Sequence, residues 1–174
     1  MVVQYSNIAS QIERLIDQVG KVASWATLAI VGLISVNVLL RYTFSVGSVW
    51  SQELEWHLLA VMILFGMSFS LLRGENVRVD LFYAKYSPEK KFLVDVISAL
   101  LTIVVSLILI KLSLAYVMQS YSIGEGSPDP GGIPGRWVIK SLIPLGFFFV
   151  ALQAFAGLIR VVLKRQAEKV EQHV

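Results

Sequence analysis

Few side chains in this sequence could do chemistry, and most of them lie at the edges of long apolar stretches. Glu53 and Glu55 open one stretch, Lys111 lies well inside another, and Arg41 ends a third. Ionisable groups at such positions are costly in a membrane and are therefore functional candidates. The chemistry that they suggest is charge pairing, in which the ammonium of Lys111 neutralises Glu53 or Glu55 from a neighbouring helix.

Each of these charges also has a simpler explanation. Acids in the first turn of a helix and an arginine in its last turn are stabilised by the helix dipole. The long side chain of Lys111 could extend its ammonium to the lipid headgroups. Structural and partner-binding roles therefore both stay open for the candidate residues, which are Arg41, Trp50, Glu53, Glu55, Lys111, Arg136 and Trp137.

Enzyme chemistry finds no support in the sequence. It contains no cysteine, and it shows no nucleophile–base pair, phosphate-binding loop or cluster of metal-ligand residues. His57 could bind haem, but the second histidine, His173, falls at the opposite end of the predicted bundle. We therefore predict no catalytic residue, no metal and no cofactor. The net charge of +3 is too small to indicate a nucleic-acid partner.

The elements that position these residues are predicted from hydropathy. The chain is 56% hydrophobic and only 16% charged, whereas soluble domains carry about 25% charged residues. The charge deficit is concentrated in four long stretches, which predicts an all-α integral membrane protein forming a single membrane domain over residues 1–174. The four transmembrane helices are predicted at residues 22–43, 52–72, 92–121 and 137–163.

An amphipathic helix is predicted ahead of the first span, at residues 4–20. One stripe at helical spacing contains Ile8, Ile12, Leu15, Ile16 and Val19. This pattern suits a helix lying in the membrane interface. The alternative is a cytosolic extension that continues the helix of the first span.

The basic residues predict the orientation. If all four stretches cross the membrane, eleven Lys and Arg residues fall on the side of the two termini and three fall on the opposite side. This bias places both termini in the cytoplasm. Three of the four tryptophans agree, since they fall at the outer boundary, where aromatic belts form: Trp50, Trp56 and Trp137.

The connecting segments differ in character. Residues 73–91 mix basic and apolar side chains and are predicted to rest on the inner leaflet, with Ser87, Pro88 and Glu89 starting the third helix. The outer segment 122–136 holds three prolines and five glycines, which predicts an ordered, extended loop. Ser35, Asn37, Ser68 and Ser70 are candidates for interhelical hydrogen bonds, and Gly66 for a close approach of two helices.

Two segments resemble the small membrane (Q, or DctQ-like) subunit of tripartite ATP-independent periplasmic (TRAP) transporters. They are RYTFSVGSVWSQELEWHLLAVMILFGMSFSLLRGENVRVDLF and SPDPGGIPGRWVIKSLIPLGF. The matching positions are Arg41, Trp50, Glu53, Gly66, Arg73, Gly74, Val77, Val79, Asp80, Ile133, Pro134, Trp137 and Pro144. These positions follow the family's order and spacing, and the resemblance extends over nearly the whole chain in length and topology.

The resemblance implies a non-catalytic scaffold in the bacterial inner membrane. Its partners would be a large membrane (M) subunit that carries the substrate and sodium sites, a periplasmic substrate-binding (P) protein, and membrane lipids. The resemblance makes loops 44–52 and 122–136 the candidates for docking the binding protein. Family substrates are organic acids, including dicarboxylates, sialic acid and 2-oxo acids.

Two other functions, a redox-enzyme anchor and a small multidrug transporter, fit the sequence less well. A membrane anchor for a redox enzyme would need haem ligands, and the two histidines lie at opposite ends of the predicted bundle. A self-sufficient small multidrug transporter would need an acid within the first span, which has none. Both are weaker than the accessory-subunit interpretation.

Overall fold

Four long helices account for most of the chain. The computed structural model describes residues 2–75 and 83–171, with side chains for 4–75 and 83–168, and all regular structure in these ranges is helical. The helices are α1 (Val2–Phe44), α2 (Val49–Arg73), α3 (Pro88–Ser122) and α4 (Trp137–Glu171). Each is long and apolar enough to cross a membrane. The predicted all-α chain with four such helices is therefore confirmed, while the side on which the termini lie stays a prediction.

Part of the predicted inner segment cannot be compared with the structure. Residues 76–82, which include Val77, Val79 and Asp80 of the family-like motif, lie outside the described residues. The predicted contact of segment 73–91 with the inner leaflet therefore stays a prediction.

The first helix is longer than a span requires. Its 43 residues rise about 65 Å, roughly twice the hydrocarbon thickness of a membrane. Residues 4–20 are therefore not a separate helix, because they continue into the first span without a break, as in the alternative above. Ile16 is fully buried within the protein, whereas Ile8 and Leu15 are exposed. Only part of the apolar stripe thus remains for a membrane surface, and its interfacial position stays a prediction.

Local sequence sets several helix ends. The Ser48 side chain caps the start of α2 by accepting from a backbone N–H three residues later. Gly74 ends α2 with φ of 70°, the left-handed conformation that glycine adopts at least cost. Ser87 caps α3 and Pro88 occupies its first turn, which confirms the predicted start of the third helix.

The helices form a bundle in which α3 has the fewest neighbours. Helices α1, α2 and α4 all contact one another, whereas α3 packs mainly against α4. Helices in membranes associate by close packing of small residues, and small side chains dominate the buried positions here: Ala9, Ala23, Ala26, Ala154, Ala156, Ser51, Ser68, Ser106, Ser113 and Ser120. Most large apolar side chains instead face outward, as expected where the surroundings are lipid or another membrane protein.

The closest helix contacts are at Gly20 and Gly146, and not at Gly66 as predicted. A Cβ at Gly66 would meet nothing within 4 Å, so that position lies in open space. A Cβ at Gly20 would overlap the ring of Phe69, and one at Gly146 would lie 2.8 Å from the Cβ of Leu64. The close approaches are therefore between α1 and α2 at Gly20, and between α2 and α4 at Gly146.

Arg160 ties the C-terminal half of α4 to the N-terminal half of α1. Its guanidinium donates to both carboxylate oxygens of Glu13, at 2.9 and 2.7 Å. It also donates to the Ser10 hydroxyl at 2.9 Å. A bidentate ion pair of this kind fixes the relative orientation of the two side chains and also neutralises their charges. The ion pair therefore holds the long N-terminal extension of α1 against the bundle.

Arg160→Ala should lower the melting temperature of the purified chain by a few degrees, about 3 °C. The reason is that Glu13 loses its cation and α1 loses its tie to α4. Lys111→Ala is the matched control, since both changes remove one positive charge from a predicted span. Thermal unfolding in detergent measures both. Equal melting temperatures for the two variants would contradict the structural role of Arg160.

Candidate functional site

The connection between α3 and α4 is held in place by one carboxylate. This α3–α4 loop comprises residues 123–136 and has no regular secondary structure beyond turns. Glu53, in the second turn of α2, reaches beneath it and is 2% exposed. An acid that belongs to one helix thus becomes the anchor for a loop about eighty residues further along the chain.

Three donors converge on the Glu53 carboxylate. The Ser127 hydroxyl donates to Oε1, the backbone N–H of Ile133 donates to Oε2 at 2.5 Å, and the Arg136 guanidinium donates to Oε1 at 3.3 Å. We name these four residues the loop clamp. Hydrogen bonds to an ionised group are stronger than those between neutral groups. Two of the donors lie within the loop and one lies at its end, so the clamp fixes both the middle and the end of the loop.

The loop also folds tightly on itself above the clamp. The Ser127 hydroxyl accepts from the Asp129 N–H at 3.1 Å, and the Asp129 carbonyl accepts from the Gly132 N–H at 3.1 Å. Gly131 has φ of 84° and Gly135 has φ of 70°, which few other residues adopt without strain. The glycines of this segment therefore belong to an ordered turn structure. The predicted order of the loop agrees with this, but its predicted extended form is wrong, because the chain folds back on itself.

A second ion pair closes the base of the loop. The Lys140 ammonium donates to Glu125 and lies 3.9 Å from the centroid of the Tyr116 ring. The Arg136 N–H donates to the Glu125 carbonyl at 3.0 Å. The ammonium beside it lowers the pKa of the Glu125 carboxyl below its ordinary value. This pair joins the loop to the first turns of α4 and to α3.

The Glu125–Lys140 pair makes loop stability depend on pH. Because the folded pKa of Glu125 is lowered, the pair contributes its full stability above the ordinary pKa of a glutamate, about 4.3, and loses it as the pH falls through the folded value. We expect Glu125→Gln to lower the melting temperature at pH 7. That difference should shrink below about pH 4.

Thermal unfolding of both proteins between pH 3.5 and 7 measures this effect. Glu89→Gln is the control, since Glu89 is also an acid paired with a base but is largely exposed, and its Arg165 partner lies at 3.4 Å. A difference between wild type and Glu125→Gln that stays constant over the whole pH range would contradict the role given to Glu125.

The two predicted aromatic candidates lie at the same end of the bundle. The Trp137 indole packs edge-on against Tyr121, with ring centroids 5.5 Å apart, and so joins the ends of α3 and α4. Trp50 is half exposed in the first turn of α2. Trp137 therefore contributes to the loop's support, while Trp50 is free to contact a membrane or another protein.

Glu55 faces a different helix from Glu53. The Asn37 amide of α1 donates to Glu55 Oε1 at 2.5 Å, and the Ser51 hydroxyl donates to the Asn37 carbonyl oxygen at 2.7 Å. The expectation of an interhelical bond from Asn37 is confirmed. Ser35 and Ser68 instead donate to carbonyls of their own helices.

The expected pairing of Lys111 with Glu53 or Glu55 is wrong. Lys111 is exposed on α3, and no acidic group among residues 4–75 and 83–168 lies within ion-pair distance of it. The physical reason is helix order, because α3 packs mainly against α4 and not against α2. The base that reaches Glu53 is Arg136, the last loop residue before α4.

Several residues of the site were not predicted from the sequence. Ser127 and the Ile133 N–H were not singled out, and neither was the Glu125–Lys140 pair. One signal was present in the sequence, because the backbone N–H groups of a loop rich in glycine need acceptors. Glu53, which opens the second span at the same predicted end of the bundle, was one candidate acceptor.

The loop clamp and the Glu125–Lys140 pair hold the α3–α4 loop in one conformation and show no arrangement for catalysis among the described residues. Among the described residues, no group of three or more His, Cys, Asp or Glu side chains could hold a metal ion. The His57 Nδ1–H donates to the Glu53 carbonyl oxygen at 2.6 Å, within its own helix. The site therefore shapes and holds an exposed loop at one end of a membrane-embedded bundle.

The fold and this site agree with one comparison. A family model described as the DctQ component of tripartite ATP-independent periplasmic transporters matches residues 30–164. A comparison with curated proteins returned no match. The matched range contains the last third of α1, all of α2, α3 and the α3–α4 loop, and α4 as far as Lys164. With more than half of its length matched, this chain belongs to the DctQ family of small membrane components of TRAP transporters, and it is a multi-pass membrane protein.

Proposed function

We propose that the chain is the non-catalytic scaffold subunit of a sodium-coupled importer of organic acids in the bacterial inner membrane. In this role it pairs with a large membrane subunit and helps to dock a periplasmic substrate-binding protein. The observation that carries the proposal is the loop clamp. It holds a shaped loop at one end of a bundle whose family belongs to a three-component transporter.

The apolar exterior supports pairing within the membrane. Helix α3 packs mainly against α4, and large side chains such as Leu101, Leu107 and Leu112 are exposed along it. An apolar face of this kind needs either lipid or another membrane protein as its surroundings. A larger subunit packed on part of this face would gain a wider scaffold.

The clamped loop supports docking outside the membrane. A loop that is already ordered loses little conformational entropy when a partner binds, so its contacts contribute more fully to affinity. Asp129 and Pro130 are exposed on it, and Trp50 is exposed in the adjoining segment 44–52. These segments are the proposed contacts for the soluble binding protein.

Transport chemistry is assigned to the large subunit. In this proposal the organic acid and sodium bind there, and the present chain supplies the fixed surface against which that subunit moves. The two acids of α2, Glu53 and Glu55, both lie within its first seven residues. The family membership gives no support to the alternative of a redox-enzyme anchor.

Co-purification of the tagged full-length chain from its native membrane tests the proposal. We expect mass spectrometry to find a larger, many-spanning membrane protein in about equal amount. The reconstituted pair, supplied with its binding protein, should then take up an organic acid only when a sodium gradient is present. Purification of the chain alone, or uptake by the large subunit without it, would overturn the scaffold role.

The docking part has its own measurement. Trp50→Ala and Asp129→Ala should weaken binding of the soluble protein to the reconstituted pair without changing the amount of pair that assembles. Trp25→Ala is the matched control, because Trp25 is also exposed but lies near the middle of α1, about 30 Å from the end of that helix. Unchanged affinity in both loop variants would contradict docking at these segments.

A further inference from the structure

A second polar feature lies between α1 and α2, at the same end of the bundle as the loop clamp but on another face. It is a cleft of about 300 Å³ lined by Ile34, Asn37, Val38, Arg41, Gln52, Glu55 and Trp56. We name it the α1–α2 cleft. The α1 residues recur every three or four positions, as do the α2 residues, so each set forms one face of its helix.

The cleft contains two opposite charges that do not neutralise each other. Glu55 is half-buried and accepts one hydrogen bond, from the Asn37 amide. The Arg41 guanidinium is exposed in the last turn of α1. Throughout the residues whose side chains are described, neither Glu55 nor Arg41 has an ion-pair partner.

Depth makes this arrangement costly unless something fills the cleft. Glu55 lies six residues inside α2 from Val49, which is roughly 9 Å along the helix axis. A carboxylate that far inside a membrane-spanning helix is unfavourable without a cation. The occupant therefore has to bring a positive charge to Glu55 and a negative charge to Arg41.

We propose that the α1–α2 cleft binds a zwitterionic phospholipid whose headgroup ends in a primary ammonium, as in phosphatidylethanolamine. The ammonium donates to the free carboxylate oxygen of Glu55. The phosphate accepts from the guanidinium of Arg41, which matches phosphate oxygens with two parallel N–H groups. A single headgroup thus satisfies both charges.

The remaining lining fits the rest of such a lipid. Val38 and Ile34 lie about one and two turns further from the helix end than Arg41 and are exposed, so they offer an apolar surface to an acyl chain. Trp56 is 61% exposed beside the charges, and tryptophan is the residue that favours the boundary between headgroups and hydrocarbon. The order of polar and apolar groups along the cleft follows the order of groups along the lipid.

The chemistry also predicts which lipids bind less well. A choline headgroup has no N–H, so it cannot donate a hydrogen bond to Glu55. A glycerol headgroup has no cation, so it leaves the carboxylate uncompensated beside a phosphate. Headgroup preference is therefore the property that separates this site from general lipid contact on an apolar surface.

Native mass spectrometry of the full-length chain tests the proposal, with ethanolamine, choline and glycerol phospholipids of identical acyl chains at equal concentration. We expect the ethanolamine lipid to bind about tenfold better than either competitor. Glu55→Gln should reduce the ethanolamine lipid to the level of the choline lipid. Arg41→Gln should weaken all three, since each contains the phosphate.

Glu89→Gln is the charge-matched control and should bind like wild type, because Glu89 lies at the start of α3 and is mostly exposed. The wild-type preference needs no variant, so a misfolded mutant cannot decide the result. Equal binding of the three lipids by wild type would overturn the proposal. Preference for the glycerol lipid would also overturn it, because Arg41 would then act alone.

A cross-linking measurement separates a lipid from a protein occupant. A photoreactive amino acid at Val38, within the cleft, is activated in native membranes that contain the complete transporter. We expect an adduct of phospholipid mass on this chain. An adduct to another membrane protein, with no lipid adduct, would assign the cleft to a partner subunit and refute the lipid site.

Discussion

Glu53→Gln should lower the melting temperature of the chain by about 10 °C, the largest effect expected of any single substitution here. The carboxylate accepts from Ser127, Ile133 and Arg136 at once. Glutamine keeps the shape but loses the charge, and its amide nitrogen turns one acceptor into a donor. At least one loop donor is then left facing another donor, and the Arg136 guanidinium loses its counter-ion.

Limited proteolysis locates the damage. Trypsin cleaves after arginine, and Arg136 is half-buried in the clamped loop. Cleavage after Arg136 should accelerate about tenfold in Glu53→Gln, because cleavage follows the population of the open loop. Glu89→Gln controls for the change of charge. A melting temperature within about 1 °C of wild type would contradict the clamp, since surface substitutions alone reach that value.

Helical geometry explains why two acids two residues apart have different partners. Each residue turns a helix by about 100°, so Glu53 and Glu55 point about 200° apart, to nearly opposite sides of α2. Glu53 meets the loop and α4, and Glu55 meets Asn37 of α1. Glu53 and Glu55 were predicted as alternative partners of Lys111, but a base on one side of α2 can approach only one of the two carboxylates.

Hydropathy predicted the helices well because the signal is local. A run of about twenty apolar residues is sufficient for a span, whatever surrounds it. The caps at Ser48 and Ser87 are local as well, since each bonds within three residues along the chain. Helix α1 was divided in two because its amphipathic stripe resembled a separate interfacial helix, whereas the backbone continues from one part into the other.

The candidate site was harder to predict because it depends on which helices are neighbours. Lys111 was predicted as a partner of Glu53 or Glu55 on the assumption that the second and third spans are adjacent. In the structure α4 lies against α2, so Arg136 takes that place. A backbone donor such as the Ile133 N–H has no sequence signature, because every residue except proline carries one.

The two sides of α2 at this end of the bundle have different roles. The α2–α4 side holds its acid within the protein and so fixes the α3–α4 loop. The α1–α2 side leaves Glu55 and Arg41 without an ion-pair partner among the described residues, which suits an occupant from outside the chain. The start of α2 thus holds the α3–α4 loop on one side and forms the proposed lipid site on the other.

Gly132→Ala should lower the melting temperature by about 5 °C and open the same loop. A Cβ at this position would collide with the Ser127 hydroxyl, and it would lie 2.5 Å from the Ser127 Cβ and 2.7 Å from Glu53 Oε2. These atoms belong to the loop clamp, so they cannot move aside without breaking its hydrogen bonds. The substitution therefore disrupts the clamp by volume, whereas Glu53→Gln disrupts it by charge.

Gly126→Ala is the matched control, since it adds the same methyl group to the same loop where nothing lies within 4 Å. It should change the melting temperature by no more than about 1 °C, and it restricts the unfolded chain slightly. Thermal unfolding and trypsin cleavage after Arg136 measure both variants. If the two alanines behave alike, the space above Glu53 is not tight and the loop is held by something other than the clamp. If only Gly132→Ala opens the loop, close packing over one carboxylate is what gives this surface its shape.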